Sequence, residues 1–183
     1  MNRIFVFLVK FLVVVGLYAG LPVVAQASDL CDPQEKVLFS CKLQKSQKEV
    51  ALCSSANLTK QSGYLQYRFG KPGSFELEFP STRHHSQSRF LYSNYARYQV
   101  SYTSIAFESG AFRYAIFDSY SGEDGKTRQD RGVEVSKQDG GHSHQLLCQT
   151  IGVISDLGNL ESVLPCDAES AISDCSPEQN LGQ

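Results

Sequence analysis

The chain has 183 residues, with 17 basic and 19 acidic side chains, a formal net charge of −2 and no tryptophan. That length supports one core, and the lack of any basic excess excludes nucleic acid and anionic lipid as the main partner, since both reward a positive patch. No run of like charge is longer than a pair, so the charge reads as solvation.

Residues 1–27 have the pattern of a secretory signal. Met1-Asn2-Arg3 is a short positive start, Ile4 to Val24 is mostly apolar, and Ala25-Gln26-Ala27 offers the small residues that signal cleavage requires. Lys10 within the apolar run, Pro22 near its end and the absence of a basic stop-transfer cluster argue against a retained membrane anchor. Ser28-Asp29-Leu30 before Cys31 does not suit lipid attachment. Cleavage removes Arg3 and Lys10, leaving 15 basic and 19 acidic residues and a net charge of −4. The expectation is a periplasmic or secreted protein with no stable membrane anchor after cleavage.

All six cysteines, Cys31, Cys41, Cys53, Cys148, Cys166 and Cys175, lie beyond the signal. An even count in an exported domain reads as three disulfides, although the connectivity stays open. The favoured pairing is Cys41–Cys53, between neighbouring strands, then Cys148–Cys166, which leaves Cys31–Cys175. No Cys-x-x-Cys spacing supports zinc.

The body alternates with period two. Val37–Cys41 and Glu49–Cys53 are strand-like, with Lys45–Lys48 as a polar turn. Tyr64–Phe69 and Ser74–Phe79 form the clearest hairpin. A Lys71-Pro72-Gly73 loop would place Phe69 opposite Phe75, Tyr67 opposite Leu77, Leu65 opposite Phe79 and Arg68 opposite Glu76. In a second hairpin, a turn at Ser109-Gly110 would pair Phe107 with Phe112, Ile105 with Tyr114 and Thr103 with Ile116. Tyr98, Val100 and Tyr102 have the opposite parity, which predicts a bulge or strand break near Thr103-Ser104.

Pro80–Ser88 and Tyr120–Asp130 read as polar connections, and Gly132–Ser136 and Ser143–Gln149 as further strands. Leu157, Leu160 and Leu164 fit a short helical turn ended by Pro165. The expected architecture is all-β, a single antiparallel sandwich or barrel of about eight short strands with that C-terminal helical turn. The β domain would span 28–166, and 167–183 would be a loosely ordered tail.

No constellation in this pattern calls for catalysis. Paired cysteines provide no thiolate nucleophile, and Gly-x-Ser-x-Gly is absent. His142 and His144 share a strand face but follow Gly140-Gly141, where solvated histidine is the ordinary case. Glu76 and Glu78 alternate with core residues, and Asp118, Glu123, Asp124 and Asp130 surround a loop; neither group needs a catalytic cleft to explain it. The reading is therefore a non-enzymatic protein with no cofactor and no metal. Tyr92, Tyr95 and Tyr98, three residues apart, offer a candidate binding face.

The string Gly63-Tyr64-Leu65-Gln66-Tyr67-Arg68-Phe69-Gly70, with Phe39-Ser40-Cys41, Cys53, the Tyr98–Tyr120 stretch and Leu160–Cys166, resembles a family of small exported bacterial β-proteins of unsettled function. More distantly, the architecture is similar to the periplasmic lysozyme inhibitors, which insert a Ser-Gly…Tyr loop into an enzyme cleft. That resemblance implies a protein partner in the cell envelope, with Ser109, Gly110, Arg113 and Tyr114 as partner-binding residues on the Glu108–Tyr114 loop. Tyr120–Asp130 is the second candidate loop. The alternative is a structural or small-ligand-binding envelope module with no enzyme target.

Overall fold

The structure, a computed structural model, describes residues 28–170 and 172–174. The expected signal peptide at 1–27, and the 175–183 part of the tail with Cys175, lie outside the described residues.

Ten antiparallel strands form two five-stranded sheets among the described residues. The first contains β1 (Lys36–Lys42), β2 (Glu49–Ser54), β3 (Leu65–Lys71), β4 (Ser74–Phe79) and β10 (Ile154–Ser155), in the order β10-β1-β2-β3-β4. The second is the meander β5 (Leu91–Arg97), β6 (Val100–Ser109), β7 (Phe112–Ser121), β8 (Arg128–Lys137) and β9 (His144–Leu147). Short 3-10 turns at Ser86–Arg89, Glu123–Gly125 and Leu157–Leu160 are the only helical elements described. The all-β class and the C-terminal turn are as the sequence predicts, and the arrangement is a sandwich rather than a closed barrel. The strands beyond the expected eight are β5, hidden under the Tyr92/Tyr95/Tyr98 spacing, and the two-residue β10.

Both hairpins keep the predicted faces but slip by two residues. In the first, Pro72-Gly73 alone makes the turn, Lys71 pairs with Ser74, and Phe69 and Tyr67 face Leu77 and Phe79. A bulge leaves Glu76 without a partner and turns Phe75 to the outer side, where it is 45 % exposed beneath the Arg68 guanidinium. Gly70 adopts φ 145°, and a Cβ there would lie 2.5 Å from the Ser74 carbonyl oxygen, so the bulge requires glycine. In the second, Gly110-Ala111 makes the turn, with Gly110 at φ 60°, and Phe107 pairs with Tyr114. The expected bulge or strand break at Thr103-Ser104 is absent. Val100 to Ser109 pairs without interruption, and Tyr102 lies on the outer face, stacked on Phe117.

The interior is one cluster fed by both sheets, including Phe39, Leu52, Leu65, Tyr67, Phe79, Phe90, Phe107 and Ile116. Phe107 stacks on Phe79 at 4.4 Å and on Tyr114 at 5.0 Å, and meets Tyr67 at 4.9 Å. Leu157, Leu160 and Leu164 close the cluster from the C-terminal turn.

The disulfides differ from the expected pairs. They join Cys31 to Cys53 and Cys41 to Cys148. Cys41 belongs to the interior, whereas Cys53 packs with Leu30 and Ala51 on the other side of the sheet. Neighbouring strands therefore do not bring these two sulfurs together. With Cys53 and Cys41 occupied, neither Cys31–Cys175 nor Cys148–Cys166 forms; Cys166 is disulfide-bonded as well. The Cys41–Cys148 bond sits where the chain crosses between sheets: Leu43 bridges Cys148, and the Gln44 and Gln149 amides donate to the Leu147 and Lys42 carbonyls. Two intramolecular disulfides mark an oxidising, non-cytoplasmic location. No helix among the described residues is long and apolar enough to cross a membrane.

A buried arginine ties residues 28–35 to the outer side of the first sheet. Arg68 is 1 % exposed and donates to both Glu35 oxygens at 2.6 and 3.0 Å, to the Leu30 carbonyl, to Gln66 and to Glu78. Tyr64 and Arg83 extend the network, Tyr64 donating to Glu35 and Arg83 reaching Asp32 at 2.8 Å. The Arg83 hydrogen bond holds the Asp32 carboxyl below its ordinary range, with the Arg68 and Arg83 charges adding to the effect against partial desolvation. Every polar arm of Arg68 has a partner, so the cluster is structural.

Candidate functional site

The four residues singled out on the β6–β7 hairpin do not converge. Ser109 ends β6 and Gly110 forms the turn. Arg113 and Tyr114 are consecutive on β7 and therefore point to opposite faces. Arg113 faces outward, where its Nη2 pairs closely with the buried carboxylate of Asp167 and its Nη1 lies 4.0 Å from Glu108. Tyr114 faces inward, stacked on Phe107. A cleft-inserting tip would retain Ser109, Gly110 and the half-exposed Phe112, without Arg113 or Tyr114.

Within the expected tail, the described residues 167–170 and 172–174 are tied to β5. The Asp167 amide donates to the Tyr92 carbonyl, Asp174 N–H donates to Asn94, and the Ser93 hydroxyl donates to the Ile172 carbonyl. The tyrosine triplet does not form one face. Tyr92 is buried, Tyr95 is half-buried, and Tyr98 is 84 % exposed at the β5–β6 turn. In the second candidate loop, Glu123 pairs with Arg97 at 2.8 Å on an exposed surface. The only cluster with metal-ligand atoms among the described residues is Cys31, Glu35 and Cys53, and its two sulfurs are bonded to each other.

What the fold does assemble is an apolar cavity of about 330 Å³ between the sheets. β3 supplies Tyr67 and Phe69, β4 supplies Glu76 and Leu77, and β7, β8 and β9 supply Tyr114, Val135 and Leu146. These residues lie two to four positions inside the strand ends, so the cavity faces the end of the sandwich carrying the turns at 72–73, 110–111 and 138–143. Its walls exist because alternation places Tyr67, Phe69 and Leu77 on one inner face and Tyr114, Val135 and Leu146 on the other.

Tyr67 gives the cavity its chemistry. The residue is 1 % exposed and its ring lies 6.3 Å from that of Tyr114. Burial, with a smaller contribution from Tyr114, pushes its pKa well above the ordinary tyrosine value, so the hydroxyl stays protonated. Its hydroxyl brings a donor and an acceptor to a wall that is otherwise largely apolar. At the mouth, Lys48 lies 5.2 Å from the Phe69 ring centroid and binds Glu76 at 2.7 Å.

The hairpin and triplet candidates were visible because their residues are close in sequence. The cavity draws on five strands spread from Leu65 to Leu147, and its one sequence signal was the inward parity of Tyr67 and Tyr114. No family model, curated protein or solved structure matches this chain.

Proposed function

We propose that this is a non-enzymatic binding protein, exported to the periplasm or beyond, that holds a small and largely apolar molecule between its sheets. The observation carrying this reading is the largely apolar cavity of about 330 Å³ that both sheets line, with the Tyr67 phenol in its wall. An apolar enclosure of a few hundred cubic ångströms with one or two placed polar groups is the usual form of a small-molecule site. Apolar walls supply affinity, and Tyr67, with Tyr114 beside it, selects a ligand that carries a hydroxyl or carbonyl at its inner end. Inhibition of a lysozyme-like enzyme through the β6–β7 hairpin has less support, because Arg113 is engaged by Asp167 and Tyr114 by the aromatic interior.

The test is stabilisation by a neutral probe, para-hydroxyphenylpropanol. Ligand at a hundredfold excess over Kd stabilises by about 2.7 kcal/mol, a readily measured rise in Tm. Leu146→Trp, which fills the cavity, should abolish the rise while leaving the unliganded protein folded by circular dichroism. An unchanged Tm in the parent protein, or an equal rise in the filled variant, overturns the proposal.

A further inference from the structure

Resting on that cavity reading, we infer that the ligand is an organic carboxylate, bound with its apolar body between the sheets and its anionic end at the mouth, against Lys137 and His144. The register supplies the geometry. Val135 lines the cavity, and residues directly opposite one another in an antiparallel pair share a face. The partner of Val135 is His144, which therefore sits at the rim on the cavity side. Lys137, two residues beyond Val135 on the same face, is opposite Phe112, itself two residues beyond the cavity-lining Tyr114. Phe112 is 38 % exposed and forms the apolar lip between wall and rim.

The ion pairs around this rim leave Lys137 aside. Lys48 and Glu76 neutralise each other at 2.7 Å. Asp139, on the β8–β9 turn, accepts from the Gly141 amide. Glu134 lies on the outer face and is held by Gln145. Among the described residues Lys137 has no ion pair, and His144 has no partner beyond its strand pairing with Val135. The rim therefore offers an ammonium and an imidazole on the cavity side of β8 and β9, neither held in an ion pair. A carboxylate is the group that accepts from both.

Two strand residues separate the Tyr114–Val135 level from the Phe112–Lys137 level, a rise of about 7 Å. A single aromatic ring or a short chain spans that interval. The site thus has three parts in line: Tyr67 at the depth, apolar walls between, and Lys137 with His144 at the rim. That order selects a molecule with a polar oxygen at one end and a carboxylate at the other.

Calorimetric titration of the purified protein with four small probes tests this. Para-hydroxyphenylpropionate has both ends, para-hydroxyphenylpropanol lacks the charge, phenylpropionate lacks the inner hydroxyl, and tyramine reverses the charge. The acid should bind about tenfold more tightly than the alcohol, a difference typical of one oriented ionic contact. Lys137→Ala should remove most of that advantage without altering the affinity for the alcohol, and His144→Ala should weaken only the acids. Lys137 is exposed, so its loss does not threaten folding. Equal affinities for acid and alcohol, an unchanged preference in Lys137→Ala, or tightest binding by tyramine would overturn the carboxylate assignment and leave the cavity reading standing. Binding of none of the four overturns both.

Discussion

Tyr67→Phe separates a residue kept for a ligand from one kept for the fold. The substitution retains the ring and its contacts with Phe107 and Tyr114, and removes only the hydroxyl at the cavity wall. An unsatisfied buried polar group costs about 1–3 kcal/mol. Because this hydroxyl borders an open cavity, the lower end of that range is an upper bound, so the variant should be up to about 1 kcal/mol more stable than the parent without ligand. With a urea m-value of about 2 kcal/mol/M, the unfolding midpoint should rise by up to roughly 0.5 M at unchanged m. Tyr64→Phe is the matched control. The Tyr64 hydroxyl donates to Glu35 at 2.9 Å and accepts from Arg83 at 3.2 Å, so its removal should destabilise by about 0.5–1.5 kcal/mol. Opposite signs for the two tyrosines are the expected result. If Tyr67→Phe lowers the midpoint as Tyr64→Phe does, the Tyr67 hydroxyl is satisfied and the argument for a ligand loses its base.

Three further outcomes follow from the same structure. Glu35→Ala leaves the guanidinium of Arg68 in a buried site without its bidentate partner and should destabilise by about 3–5 kcal/mol in denaturant, whereas Arg68→Met with Glu35→Gln should recover much of the loss. Cys41 and Cys148 are 107 residues apart, and chain entropy puts the loss of such a link at up to about 4.7 kcal/mol against about 3 for a 22-residue separation such as Cys31–Cys53. A paired Ser substitution at 41 and 148 should therefore lower Tm more than one at 31 and 53. Asp32 has a folded pKa below its ordinary 3.8, so its contribution is complete above that value and is lost as pH falls through the depressed folded value. Asp32→Asn should therefore flatten the acid limb of the stability profile while leaving the slope above pH 5 unchanged.

The sequence showed which sides of the strands face inward better than it showed where the strands meet. At the second hairpin the turn is centred one position further along than expected, at Gly110-Ala111, which moves every partner by two. At the first, the turn shortens from Lys71-Pro72-Gly73 to Pro72-Gly73, which moves partners by one, and the bulge at Glu76 adds the second. A period of two conceals a slip of two: Tyr67, Phe69, Tyr114 and Ile116 still face the interior. Phe75 shows where the concealment fails, because the Glu76 bulge changes the parity of a single residue. The cysteine pairs were illegible for a related reason. Cys41 and Cys53 lie on adjacent strands but on opposite sides of the sheet, a property set by the irregularity between Val37 and Phe39. Parity also misled at Tyr102, where an outward aromatic was read as a break in the strand. The cavity could not be read at all, since it depends on which strands of the second sheet cover Phe69 and Leu77.

The crossing at Cys148 makes the sandwich resemble a book bound along one margin. At that margin a covalent link, a bridge and two main-chain hydrogen bonds fix one sheet to the other. At the far margin β4 and β5 end their sheets without pairing to each other, and aromatic packing of Phe79 against Phe90 holds the two leaves together. Any widening that admits a guest to the space behind Phe69 and Tyr114 must therefore pivot about the bound margin, with the largest excursion where Phe79 meets Phe90.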